Sequence, residues 1–105
     1  MKITTAYSSG QLVVYLSGEL DHHSARTVMD AIDGLVDKYL PRDLVLDMSG
    51  VSFMDSSGIA LILRTQRRQK ETGGRASVEN PASQPMRVID ASGIDRIVPV
   101  KGGRA

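Results

Sequence analysis

Along residues 11–17 apolar side chains fall on both faces of an extended run, with Leu12, Val14 and Leu16 on one and Val13 and Tyr15 on the other. A strand of this kind is covered on both faces or sits centrally in its sheet. Residues 2–7 read as its hairpin partner, the two joined at Ser9-Gly10. The period then changes. Val28, Ile32, Leu35, Val36 and Tyr39 recur at helical spacing, which predicts a helix capped by Ser24 and stopped by Pro41. Gly34 inside that helix costs about 1 kcal/mol relative to alanine, so either something packs closely there or the weakness is tolerated. Strand and helix patterns continue to alternate. Residues 43–49 (DLVLDMS) read as a short buried strand, and a helix runs from about Asp55 to Ser57 onward to Thr72, where Gly73-Gly74 ends it. RASVEN reads as a strand, residues 84–92 as a helix with Pro85 in its first turn and Gly93 as terminator, and DRIVPV as a last edge strand, since Pro99 lacks a ladder donor. The order β-β-α-β-α-β-α-β predicts an α/β domain: a mixed sheet of about four to five strands with helices packed on it.

Length and composition limit what such a domain does. The 105 residues suit one domain, and with one Phe, three Tyr and no Trp the core is aliphatic. A formal net charge of +1 gives no global field for nucleic acid or an acidic membrane. The absence of cysteine excludes disulfides, thiolate metal sites and a cysteine nucleophile. The first ten residues lack the apolar centre of a signal peptide, and the run from Ile59 to Leu63 is far too short to span a bilayer. A soluble cytoplasmic protein is the expectation.

Residues 53–63, FMDSSGIALIL, carry the candidate chemistry. A helix N-terminus presents unpaired N–H groups and a partial positive charge, so a phosphate is electrostatically favoured there. A serine at that place is a plausible phosphoacceptor, and equally Asp55 or Ser56 is a common N-cap. On a helical projection Ile59, Ile62 and Leu63 share the inward face. Leu61 then points nearly opposite, beside Arg64 and Arg68, as a docking surface next to a modifiable serine. The basic run RTQRRQK has no interleaved aromatics or groove-reading motif and reads as a solvated helix face.

Three stretches, SGELDHHSA at 17–25, SFMDSSGIALIL at 52–63 and MRVIDASGIDRIV at 86–98, together resemble anti-sigma factor antagonists of the sporulation type, members of the STAS domain class. The resemblance covers about residues 3–100 in order and spacing, leaving 101–105 as a flexible tail of a single STAS-like domain. In that family a further helix usually follows the last strand; here the sequence stops at VKGGRA. The resemblance implies a regulatory binding protein and not an enzyme. The unphosphorylated form binds an anti-sigma factor that is also a serine kinase, freeing a sigma factor. The kinase phosphorylates the first serine of D-S-S-G, here Ser56, which releases the antagonist, and a serine phosphatase restores it. Asp21, His22, His23, Asp55, Ser57, Gly58 and Leu61 are then the partner-binding residues. Ser56 is read as the helix cap, with its side chain at the exposed mouth. No cofactor, nucleic acid or membrane enters this scheme. A related module serving another pathway, such as general stress response, is the alternative.

The ELDHHSA stretch also admits other chemistry. Asp21, His22 and His23 are possible metal ligands, but neighbouring histidines diverge and the chain has no other His. Metal-dependent phosphoesterases with an Asp-His-His motif need further Asp and His residues over a much longer chain. A Ser-His-Asp hydrolase would need a nucleophile elbow G-x-S-x-G, which is absent, as is a Walker-type phosphate loop. Alternatively Asp21 or Ser24 simply caps the first helix while both histidines are solvated.

Overall fold

The computed structural model describes residues 1–103. Strands β1 (Lys2–Ser8) and β2 (Gln11–Leu20) form the opening hairpin. Ser9 and Gly10 both take positive φ, 50° and 81°, as tight two-residue hairpins require. Helix α1 (His22–Tyr39), strand β3 (Asp43–Met54), helix α2 (Ser56–Glu71), strand β4 (Arg75–Glu79), helix α3 (Ser83–Ser92), a 3₁₀ turn (Ile94–Arg96) and strand β5 (Val100–Lys101) come next along the chain. The sheet is mixed and its strand order is sequential. β1 is antiparallel to β2, and β2 through β5 are parallel to one another.

The predicted alternation of β2 holds. Leu12, Val14 and Leu16 are buried with Leu44, Leu46, Met48 and Val78 beneath Val28, Ile32 and Val36 of α1, Leu61 and Ile62 of α2 and Ile89 of α3. β2 has a strand on each side, but its second face is uncovered: Tyr15 is 42% exposed. Gly34 is exposed, and among the described residues nothing lies within 4 Å of the place a Cβ would occupy, so α1 tolerates it without a packing reason.

Three boundaries differ from expectation. β3 runs five residues past Ser49, to Met54. Opposite β2 it carries an extra residue twice, between Tyr15 and Ser17 and again between Gly18 and Glu19. These bulges break the two-residue period that makes a strand visible in sequence. Gly50 is required at the first, where a Cβ would lie 2.9 Å from the Leu16 carbonyl oxygen. The last strand shrinks to Val100–Lys101. Ile97 and Val98 donate backbone hydrogen bonds to the Ile94 carbonyl at 2.8 and 2.9 Å, so this segment winds as a helical turn that buries Ile94 and Val98 and leaves Ile97 outside. The tail also begins later than residue 101, because Lys101 pairs with Glu79, while residues 104–105 lie outside the described residues.

The inward face of α2 is Gly58, Leu61, Ile62, Thr65 and Gln69. The projection that turned Leu61 outward is therefore wrong: Leu61 is fully buried, and Ile59 and Leu63 flank the core only partly buried. Two polar residues share the buried stripe and their donors find partners, while Gln69 Oε1 accepts no hydrogen bond among the described residues. The Thr65 hydroxyl donates to the Leu61 carbonyl at 2.9 Å, and Gln69 Nε2 donates to the carbonyls of Pro41 and Arg75 at 3.0 Å each. Arg64 and Arg68 reach across to α1. Arg64 meets Asp33 at 2.7 Å, and Arg68 meets Asp33 at 3.2 Å and Asp37 at 2.7 Å. Burial raises the Asp33 carboxyl's affinity for its proton, but hydrogen bonds from Arg64 and Arg68 outweigh it and hold the pKa below its ordinary value. The two arginines thus clasp α1 to α2. No helix among the described residues is long and apolar enough to cross a membrane.

Candidate functional site

β2 and β3 run parallel and end in register, Leu20 beside Met54, and each turns directly into a helix. The Asp55 amide donates to the Leu20 carbonyl at 3.4 Å. The mouths of α1 and α2 therefore sit side by side at one end of the sheet. This juxtaposition gathers Asp21, His22 and His23 with Asp55, Ser56, Ser57 and Gly58. It excludes Leu61, which is in the core.

The α1 mouth is capped by Asp21, with Ser24 its reciprocal partner at the third helical position. The Ser24 amide donates to Asp21 Oδ1 at 2.9 Å, and the Asp21 amide donates to Ser24 Oγ at 3.0 Å, a complete capping box. The Ser24 hydroxyl lies 2.8 Å from the Glu19 carbonyl oxygen and 3.1 Å from Asp21 Oδ1, and its single proton is shared between these two acceptors. Hydrogen bonds from the Ser24 amide and then the Ser24 hydroxyl hold the Asp21 carboxyl below its ordinary pKa, with the His23 amide and the His23 charge adding to them. His22 and His23 occupy the first two helical positions and are exposed. Among the described residues no three metal-ligating side chains converge.

The α2 mouth starts alike and ends differently. Its cap is Asp55, whose Oδ1 accepts from the Ser57 amide at 2.8 Å. Ser56 is consequently the first residue of the helix and not the cap that the sequence predicts. It is exposed, and its hydroxyl makes no hydrogen bond among the described residues. Ser57 is half-buried. Gly58 occupies the position that Ser24 fills in α1. Its smallness has a packing reason: a Cβ there would overlap Met54 Cγ and lie 2.5 Å from Met54 Sδ. Phe53, just upstream on β3, is 42% exposed and adds an aromatic side chain to this end of the sheet. Sequence patterning does not single it out, because the bulged end of β3 lacks a strand's period.

Two helix mouths at the ends of adjacent parallel strands, on a five-stranded sheet with one hairpin edge, define a small α/β domain whose distinguishing surface lies at those mouths. The chain belongs to the STAS domain family, whose profile matches residues 2–103. It is 33% identical over 100 residues to the anti-sigma F factor antagonist of Paenibacillus polymyxa, an alignment covering 95% of this chain and 86% of that one. The solved structure of the anti-sigma factor antagonist SpoIIAA in its unphosphorylated form superposes with a TM-score of 0.81 at 26% identity, covering 99% of this chain and 89% of that one. The structure of the Bacillus cell fate determinant SpoIIAA in its phosphorylated form gives 0.71 at 28% identity, covering 99% and 92%.

Proposed function

We propose that this STAS domain is an anti-sigma factor antagonist switched by phosphorylation of Ser56. The observation that carries the reading is the free hydroxyl at the first position of α2, beside a second helix mouth that offers His22 and His23 to a partner. A phosphate on Ser56 sits where the helix dipole favours negative charge, so it leaves the fold intact and acts on the surface. The adjacent Asp55 carboxylate adds negative charge beside it. SpoIIAA, the relative solved in both states, supports a phosphorylation cycle by likeness.

In this scheme the unphosphorylated chain docks its two mouths on an anti-sigma factor that is also a serine kinase. Asp21, His22, His23, Asp55, Ser57, Gly58 and the exposed Phe53 shape that patch. The phosphoryl-transfer machinery belongs to the kinase, so the chain is a substrate and not an enzyme, and a serine phosphatase in the cytoplasm resets it. The energetics are sufficient. A release of 10³- to 10⁴-fold needs about 4–5.5 kcal/mol, and burying an unpaired dianion in an interface costs several kcal/mol.

The test uses purified anti-sigma factors of the same organism with ATP and Mg²⁺. Mass spectrometry is expected to place the phosphate on Ser56. Ser56→Ala stays unmodified and bound, and Ser56→Asp binds about 10³-fold more weakly. Phosphate found only on Ser57, or a phosphorylated chain that binds as tightly as the bare one, overturns the reading.

A further inference from the structure

We propose that Gln84 is a positioning residue for the Ser56 switch, an inference that rests on the reading above. The pairing of β3 with β4 stops at Asp47 and Glu79, yet β3 continues to Met54 with, among the described residues, only β2 beside it. The open side of Met54 is met by one side chain. The Met54 amide donates to Gln84 Oε1 at 2.8 Å, and Gln84 Nε2 donates to the Met54 carbonyl at 2.9 Å. A carboxamide presents one acceptor and one donor in a plane, as a peptide group does. Gln84 therefore stands in for the missing strand at the last residue of β3.

The place matters because the helix cap comes directly after it. The peptide joining Met54 to Asp55 is held at both edges, its carbonyl by Gln84 and its N–H by the Leu20 carbonyl. That peptide sets the backbone direction of Asp55, whose carboxylate caps α2 through Ser57, and Ser56 lies between them. From the other side the Met54 side chain is confined under Gly58. Gln84 comes from the first turn of α3, so the third helix takes part in aiming a hydroxyl on the second. Gln84 itself is only half-buried. A misplacement of about 1 Å at a reacting group costs on the order of 10²-fold in rate, so the two bonds act on phosphoryl transfer more than on docking.

The experiment measures phosphorylation of wild type, Gln84→Met, Gln84→Glu and the neighbouring control Ser83→Ala by the same ATP-supplied anti-sigma factors. Hydrogen exchange of the free proteins is measured alongside. Gln84→Met keeps the length and loses both bonds, and Gln84→Glu keeps the acceptor and loses the donor. For both, kcat on Ser56 is expected to fall by about tenfold or more with KM within about threefold. The amides of Met54 and Ser57 exchange faster while that of Leu46 does not, and Ser83→Ala behaves as wild type. Unchanged kcat with unchanged Met54 and Ser57 protection overturns the inference. Acceleration of all amides together in both variants also overturns it, because Gln84 then acts on the whole fold. If wild type is phosphorylated on Ser56 and both variants equally so, only this inference falls. If wild type is not modified there at all, the switch and the inference fall together.

Discussion

The mouths of α1 and α2 lie side by side, begin with the same aspartate cap and diverge three residues later. In α1 the third helical residue is Ser24, which closes a reciprocal box with Asp21 and satisfies its hydroxyl's hydrogen bonding locally. In α2 the same position is Gly58, so the cap is one-sided, and the serine hydroxyl stands instead at Ser56, free at the first position. The comparison teaches that one serine within a helix mouth is structural or available according to its position in the first turn. A hydroxyl three residues past the cap reaches back to the backbone. A hydroxyl directly after the cap faces outward with no backbone group to occupy it.

The largest effect should come from restoring a side chain to the open mouth. Gly58→Ala places a Cβ against the fully buried Met54 side chain, which must shift to admit it. Overpacking of this kind costs about 1–3 kcal/mol, measurable as a lower urea midpoint with unchanged slope. An unchanged midpoint would show that Met54 has room and that Gly58 serves a partner and not the core. The converse change opens the closed mouth. Ser24→Gly removes the bonds made by Ser24 Oγ while leaving its amide on Asp21. With the lower helix propensity of glycine, the loss should be about 1–2 kcal/mol, read by thermal unfolding and by faster exchange of the Asp21 amide. A loss of protection at α2 as well would mean that the two mouths are coupled.

How far sequence reveals this arrangement depends on whether each feature is periodic. The alternation of Leu12, Val14 and Leu16 and the helical spacing of Val28, Ile32 and Val36 place strand and helix correctly, and Pro41 and Gly93 mark real ends. The end of β3 is hidden because two bulges shift its phase. The inward face of α2 is misread because Gly58, Thr65 and Gln69 occupy it, and none of them signals burial by hydrophobicity. Once those three are admitted, Leu61 falls inside and Arg64 and Arg68 fall against α1, where Asp33 and Asp37 meet them from more than 30 residues away in the chain. At the site, the D-S-S-G and D-H-H-S stretches are legible as helix starts, but which residue caps is decided by the Asp55 and Asp21 carboxylates, not by the serines. Gln84 carries no signal, since its partner is a backbone edge that exists only in the folded sheet.

The smallest predicted effect isolates charge from shape at the closed mouth. Asp21→Asn retains an oxygen able to cap α1, and asparagine is about as good an N-cap as aspartate. Near neutral pH the two proteins should therefore differ only by what the carboxylate charge adds. The Asp21 pKa in the folded chain is lowered below its ordinary value of 3.8, mainly by the Ser24 amide. A lowered folded pKa means that the unfolded state binds the proton more readily, so this contribution is fully present above the unfolded pKa and is lost as pH falls through the folded one. The stability difference between wild type and Asp21→Asn should shrink as pH falls below about 4. Asp33 and Asp47 also have lowered values, because hydrogen bonds from their partners outweigh burial, and they destabilise both proteins equally in acid, so they cancel in the difference. Chemical denaturation at a series of pH values gives the curve. A difference that stays constant through pH 3 would mean that the capping box at α1 works through hydrogen-bond geometry alone. The two mouths would then differ only in where their hydroxyls point.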